Sequence, residues 1–175
     1  DGIAVIVHPS NPVNELTIEQ LRKIYIGASA NWRDVGGADG GFVILSRETS
    51  LGTYVFFQEH VLNKQDYTPK ARLMPATSAI IQSVSEDALA IGYVGLGYAL
   101  EAKGKVKVLR IKAKDDAPSV EPSEDTVRSG AYSISRPLYF YMDDAASASA
   151  KAFVEFCLSE RGQAIVREVG FVPVG

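Results

Sequence analysis

The sequence predicts an α/β fold, on three observations. Apolar runs short enough to be strands alternate along the chain with segments whose apolar residues recur at helical spacing. The first two such runs, 2–7 and 42–45, are apolar throughout, as in strands covered on both faces. Hydrophobic residues make up 46% and charged residues 22% of the 175, enough for a buried core in one sizeable domain or two small lobes. No apolar segment reaches the roughly 20 residues that a membrane-spanning helix needs, and no internal repeat is present.

Gly2-Ile3-Ala4-Val5-Ile6-Val7 reads as the first strand, stopped by the turn-rich His8-Pro9-Ser10-Asn11-Pro12. Thr17 with Gln20 has the spacing of a capping box, and Ile18, Leu21 and Ile24 or Tyr25 form the apolar stripe of the helix behind it. A glycine-dense turn over 36–41 leads into the second strand, Phe42-Val43-Ile44-Leu45, and a helix follows the hydroxyl-rich stretch 46–53 to about Leu62. The next helix starts at Thr77 or Ser78, which are expected to cap it, and buries Ile80, Ile81 and Val84. Residues 90–94 and 106–111 read as strands, and 113–124, rich in Pro, Asp and Ser, as a linker. Arg136-Pro137-Leu138-Tyr139-Phe140-Tyr141 reads as one more strand. Two helices close the chain, across 149–158 and from a cap at Ser159 to a stop at Gly170.

The formal net charge of −3 argues against nucleic acid or an acidic membrane surface as the main partner. A small anion is still compatible with it, because helix N-termini and one arginine can hold an anion inside an acidic protein. The single cysteine, Cys157, rules out an internal disulfide and gives no metal-ligand spacing; within its apolar run it is expected to pack in the core. His8 and His60 lack carboxylate or cysteine neighbours at ligand spacing, so neither a metal nor a cofactor is expected. The loose basic stripe of Lys103, Lys105, Lys107, Arg110, Lys112 and Lys114 reads as a solvated face.

Residues 46–53, Ser46-Arg47-Glu48-Thr49-Ser50-Leu51-Gly52-Thr53, carry the chemistry. Here a strand runs into a loop of small hydroxyl residues and then a helix, the place where ligands bind in open α/β sheets. The first helical N–H groups point outward with the positive end of the dipole. Gly52 permits close backbone approach, Ser50 and Thr53 add hydroxyl donors, and Arg47 offers a planar fork to a tetrahedral oxyanion. The residues alone leave a second reading open, in which Ser50 caps the helix and Arg47 pairs with Glu48 or another surface acid. The loop lacks the Gly-x-x-x-x-Gly-Lys-Ser/Thr pattern, so nucleotide hydrolysis is not supported. No nucleophile–base pair and no carboxylate cluster for Mg²⁺ is visible, and the chain is read as not an enzyme.

This run resembles the Ser-Arg-(Glu/Asp)-x-x-Ser-Gly-Thr signature of periplasmic phosphate-binding proteins. The likeness extends to Asn11-Pro12, the segment 16–27 followed by Asn31-Trp32, Ile91-Gly92-Tyr93-Val94, Arg136-Pro137, and Gly170-Phe171-Val172-Pro173, nearly the whole chain. It implies a fold like that of type II periplasmic binding proteins: one complete α/β lobe plus hinge strands and part of the other lobe. By that plan, 14–112 is the second, anion-gripping lobe. Residues 1–13 and 132–175 are hinge strands and the C-terminal part of the first lobe, with 113–131 as linker. Trp32, by the same likeness, packs between elements of a lobe. The implied function is extracytoplasmic binding of phosphate or a similar oxyanion for delivery to an ABC permease, with Arg47, Ser50, Leu51, Gly52 and Thr53 as ligand-binding residues.

Two departures stand out. Leu51 occupies the place where the family has a ligand hydroxyl, and a lost charge-assisted hydrogen bond costs about 1.5–3 kcal/mol; the N–H groups of 51–53 are expected to stay available. The family's first lobe also begins with a segment ahead of the strand at residue 2, which supplies the rest of the ligand shell, and nothing in these 175 residues matches it. A trimmed chain, a partner chain and a short relative with weakened binding, serving as a sensing or assembly module, are the three explanations. The chain begins at Asp1 without signal peptide or initiating methionine, which the resemblance explains as processing or trimming of an exported periplasmic or cell-surface protein. An incomplete lobe would expose apolar surface around Phe153, Phe156 and Ile165, and a homodimer is an expected consequence.

Overall fold

The computed structural model describes residues 1–174. Its core is a five-stranded sheet in the order β4-β3-β5-β1-β6, made of β1 (Ile3–Val7), β3 (Val43–Arg47), β4 (Arg72–Met74), β5 (Ala90–Gly95) and β6 (Lys107–Val108). β3 runs parallel to β4 and β5, whereas β1 lies between β5 and β6 and is antiparallel to both. All five residues of β1 are buried, as its uninterrupted apolar run predicts. A second sheet joins β2 (Glu15–Thr17), β7 (Arg110–Lys112) and β8 (Ser119–Val120).

Helices pack on the main sheet through the expected faces. α1 (Ile18–Ile26) starts in the capping box of Thr17 and Gln20, buries Leu21, Ile24 and Tyr25, and stops at Gly27 with φ +84°. α2 (Gly52–His60) buries Phe56 and Phe57, and α3 (Thr77–Glu86) buries Ile80 and Val84. Ile81, expected in the core, is half-buried against it. Trp32, in a 3-10 turn (Trp32–Val35), is buried and donates its indole N–H to the Leu89 carbonyl at 2.9 Å. α4 (Leu96–Glu101) follows β5 directly.

Several expectations are corrected. The strand read across 106–111 is two strands in different sheets: the Leu109 N–H still donates to the Val5 carbonyl of β1, and the Arg110 N–H turns to the Asn14 carbonyl beside β2. The segment 113–131 is no bare linker: β8 pairs with β7, and α5 (Glu124–Arg128), capped by Ser123, buries Val127. Residues 136–141 form no strand. After the bridge of Ser135 to Gly2 and the backbone bonds of Arg136 with Asp1, the chain pairs with no strand edge among the described residues, and Leu138 to Met142 are exposed. α6 (Ala148–Leu158) and α7 (Glu160–Glu168) form as expected, but α6 buries no residue. Cys157 is therefore only half-buried, because the surface that would cover it is not provided by the described residues.

Candidate functional site

The parallel arrangement of β3 and β4 delivers two helix N-termini to one place. β3 ends at Arg47, the chain turns through 48–51 with the Leu51 N–H bonded to the Glu48 carbonyl at 3.1 Å, and α2 begins at Gly52. β4 ends at Met74, and after Pro75 and Ala76 the chain enters α3. Both N-cap residues, Leu51 and Ala76, are extended and make no side-chain capping bond. Neither helix carries an acid in its first turn, so neither positive dipole end is compensated locally. Gly52 and Thr53 at one helix, and Thr77 and Ser78 at the other, are first-turn positions whose N–H groups have no intrahelical acceptor.

Arg47 stands between these two ends. Its guanidinium donates from Nη1 to Thr77 Oγ1 at 2.5 Å and from Nη2 to the Pro75 carbonyl at 3.5 Å. Its Nε is buried without a hydrogen-bond partner. Among the described residues Arg47 pairs with no carboxylate, so the reading in which it merely neutralises Glu48 or another acid does not hold. Arg47, Thr53 and Thr77 line a cavity of about 90 Å³ with Asp1, Tyr98 and Gly170 at its walls. That volume admits a few waters or one small tetrahedral anion.

Of the five residues expected at the site, Arg47 and Thr53 reach this cavity, and Gly52 lies next to Thr53 at the helix start. Ser50 sits on the exposed turn and does not cap α2, because the cap position falls to Leu51. The Leu51 N–H is not available either, since the turn already uses it. Thr77 corrects a further expectation. It does not cap α3: Ala76 holds the cap position, and the Thr77 hydroxyl is free to meet Arg47.

Arg136, expected only in a strand, was not anticipated at the site. Its guanidinium lies over the Phe56 ring, 4.8 Å from the centroid, with Nε 3.8 Å from an Asp1 carboxylate oxygen and no hydrogen bond of its own. A Cβ built on Gly52 would sit 3.4 Å from its Nη2, which places this second cation against the first residue of α2. The bridge between Gly2 and Ser135 brings it there, a pairing with no local sequence signal. The basic stripe behaves as a solvated face: Arg110 pairs with Glu15 at 3.5 Å, and Lys107 donates to the Asn11 carbonyl and the Asn14 side chain.

The model of a PBP superfamily domain matches residues 1–161. The phosphate-binding protein PstS of Staphylococcus epidermidis is 37% identical over 178 residues, an alignment that covers 98% of this chain and 54% of that protein. The chain thus spans about half the length of the curated relatives it matches. Among solved structures, a Clostridium perfringens protein assigned as a phosphate ABC transporter substrate-binding protein, with bound phosphate, superposes with a TM-score of 0.82 at 34% identity, covering 100% of this chain and 69% of that one. An ABC-type phosphate transport receptor from Vibrio cholerae gives a TM-score of 0.83 at 29% identity, covering 98% and 69%.

Proposed function

Because the chain belongs to the PBP superfamily, among its phosphate-binding proteins, we propose that it grips phosphate outside the cytoplasmic membrane for delivery to an ABC permease. The observation that carries this reading is Arg47, a cation without a carboxylate partner, set between two uncapped helix N-termini at a cavity of anion size. An anion placed there gains the charge-assisted bonds of the guanidinium and the free first-turn amides together. The ligand shell is Arg47, Gly52 and Thr53, with Thr77 added; Ser50 and Leu51 contribute less than the family signature implies.

Residues 14–112 are the second, gripping lobe, and 1–13 with 132–175 are hinge strands and the C-terminal part of the first lobe. The contrast in burial supports this division, since helices bury apolar residues on the sheet while α6 has no cover among the described residues. The greater length of the relatives supports further polypeptide as that cover. Left alone, the chain is expected to associate as a homodimer through the exposed face, read as concentration-dependent sedimentation. The site offers binding groups and no nucleophile–base pair, and the relatives' names favour transport over a sensing or assembly module.

Calorimetric titration with phosphate and then sulfate tests the reading. Saturable but weak binding is expected, with little discrimination between the two anions, because selectivity for a protonated oxyanion needs an acceptor committed to the ligand, and Asp1, the one carboxylate among the cavity-lining residues, faces Arg136 instead. Submicromolar, phosphate-selective binding by these residues would overturn the half-site account, and binding unaffected by Arg47→Ala would overturn the site.

A further inference from the structure

Ser46 and Tyr54 bracket the anion loop, and two phenols join them behind it. Ser46 Oγ lies 2.7 Å from Tyr93 Oη, and Tyr93 Oη lies 2.9 Å from Tyr67 Oη. Tyr67 Oη in turn donates to the Tyr54 carbonyl at 3.1 Å. Donor counting fixes the direction of the chain. A carbonyl only accepts, so the Tyr67 proton goes to Tyr54; Tyr93 then donates to Tyr67, and Ser46 to Tyr93. Burial pushes both phenols above their ordinary range, which keeps these protons in place at neutral pH.

The rings add their own restraint. Tyr93 stacks on Phe57 with centroids 4.0 Å apart, and Tyr67 stacks on Tyr54 at 4.3 Å. Phe57 and Tyr54 both belong to α2, while Ser46 and Tyr93 belong to the adjacent strands β3 and β5. Since α2 lacks a side-chain cap, the Tyr67 bond to Tyr54 is the one side-chain hydrogen bond to residues 50–55 among the described residues.

We propose that the Tyr67–Tyr93 bridge positions the anion loop, holding the first turn of α2 against the end of β3 so that the amides of Gly52 and Thr53 face Arg47 before a ligand arrives. Tyr67 and Tyr93 touch no ligand in this arrangement and act through the backbone, by preorganisation. The inference rests on the reading of 47–53 as the anion site, and its test separates the two.

Tyr67→Phe keeps the stacked ring and removes the hydroxyl. The first readout is ¹⁵N relaxation of the ligand-free chain. Residues 51–55 are expected to lose order relative to native, while α1 stays unchanged. The second is phosphate affinity, expected to fall about fivefold, the size of one hydrogen bond. Unchanged order at 51–55 overturns the inference whatever the affinity does, and a loosened turn with native affinity overturns its link to binding. Should native protein take up no phosphate, the functional reading fails, and the relaxation data alone decide whether the bridge holds the loop. If Tyr67→Phe does not fold, Ser46→Ala severs the other end, with the same outcomes applied to residues 46–55.

Discussion

Two helices of this chain, α3 and α6, are both rich in apolar residues, and they meet different fates. α3 lies on the sheet and buries Ile80 and Val84 completely, whereas α6 buries nothing and leaves Phe153 60% exposed. The difference lies in the neighbours. Residues up to Ile134 supply both faces of their own core, while α6 and the exposed stretch Leu138 to Met142 present apolar side chains with no matching layer among the described residues. An apolar pattern states that a face needs cover; it does not state which polypeptide provides it.

The largest expected effect breaks that comparison directly. Phe57→Ala removes a fully buried ring stacked on Tyr93 and is expected to cost about 3–5 kcal/mol in denaturant unfolding. Phe153→Ala, on the exposed face, is expected to stay within about 0.5 kcal/mol when measured at concentrations low enough to keep the chain monomeric. Equal costs would mean that α6 is covered in solution.

Next in size is the site itself. Arg47→Ala is expected to weaken phosphate binding about ten- to a hundredfold, and Arg47→Lys to recover part of that, since the charge returns without the fork. Leu51→Ser places a hydroxyl at the uncapped N-cap of α2. It is expected to stabilise the fold by about 0.5–1 kcal/mol and to raise affinity by up to about tenfold. A stability gain without an affinity gain would make position 51 a cap and not a ligand.

The smallest effect near neutrality is on the alkaline side. Tyr25, Tyr67, Tyr93 and Tyr132 all have phenol pKa values raised by burial. A raised folded-state value favours the neutral form, so this stability is fully present below the unfolded value near 10 and is lost as pH rises above it. Unfolding free energy, measured from pH 8 to 12, is expected to fall beyond about pH 10. Tyr67→Phe should flatten that fall, and a pH-independent curve would contradict the assignment.

What the sequence made legible was local. The capping box at Thr17, the continuously apolar β1 and the strand-to-helix passage at Arg47 each declare themselves within a few residues. What it hid depends on pairing at a distance. Residues 136–141 have strand composition, but a strand needs an edge to bond to. One apparent strand becomes two because Leu109 still bonds to Val5 of the main sheet while the Arg110 N–H turns to Asn14 beside the other. Of the candidate site residues, Arg47 and Thr53 line the cavity, whereas Ser50 lies on the exposed 48–51 turn. Thr77 has the composition of a helix cap, but the parallel pairing of β3 and β4 brings its hydroxyl to Arg47 instead. Arg136, held by the Gly2–Ser135 bridge, carries no local signal.

Amide chemical-shift mapping during a phosphate titration tests the central claim most directly. The account predicts that the largest shifts fall on Gly52, Thr53, Thr77 and Ser78, the two helix starts beside Arg47, and that they vanish in Arg47→Ala. Shifts centred on the basic residues between 103 and 114, or a map unchanged by Arg47→Ala, would contradict it.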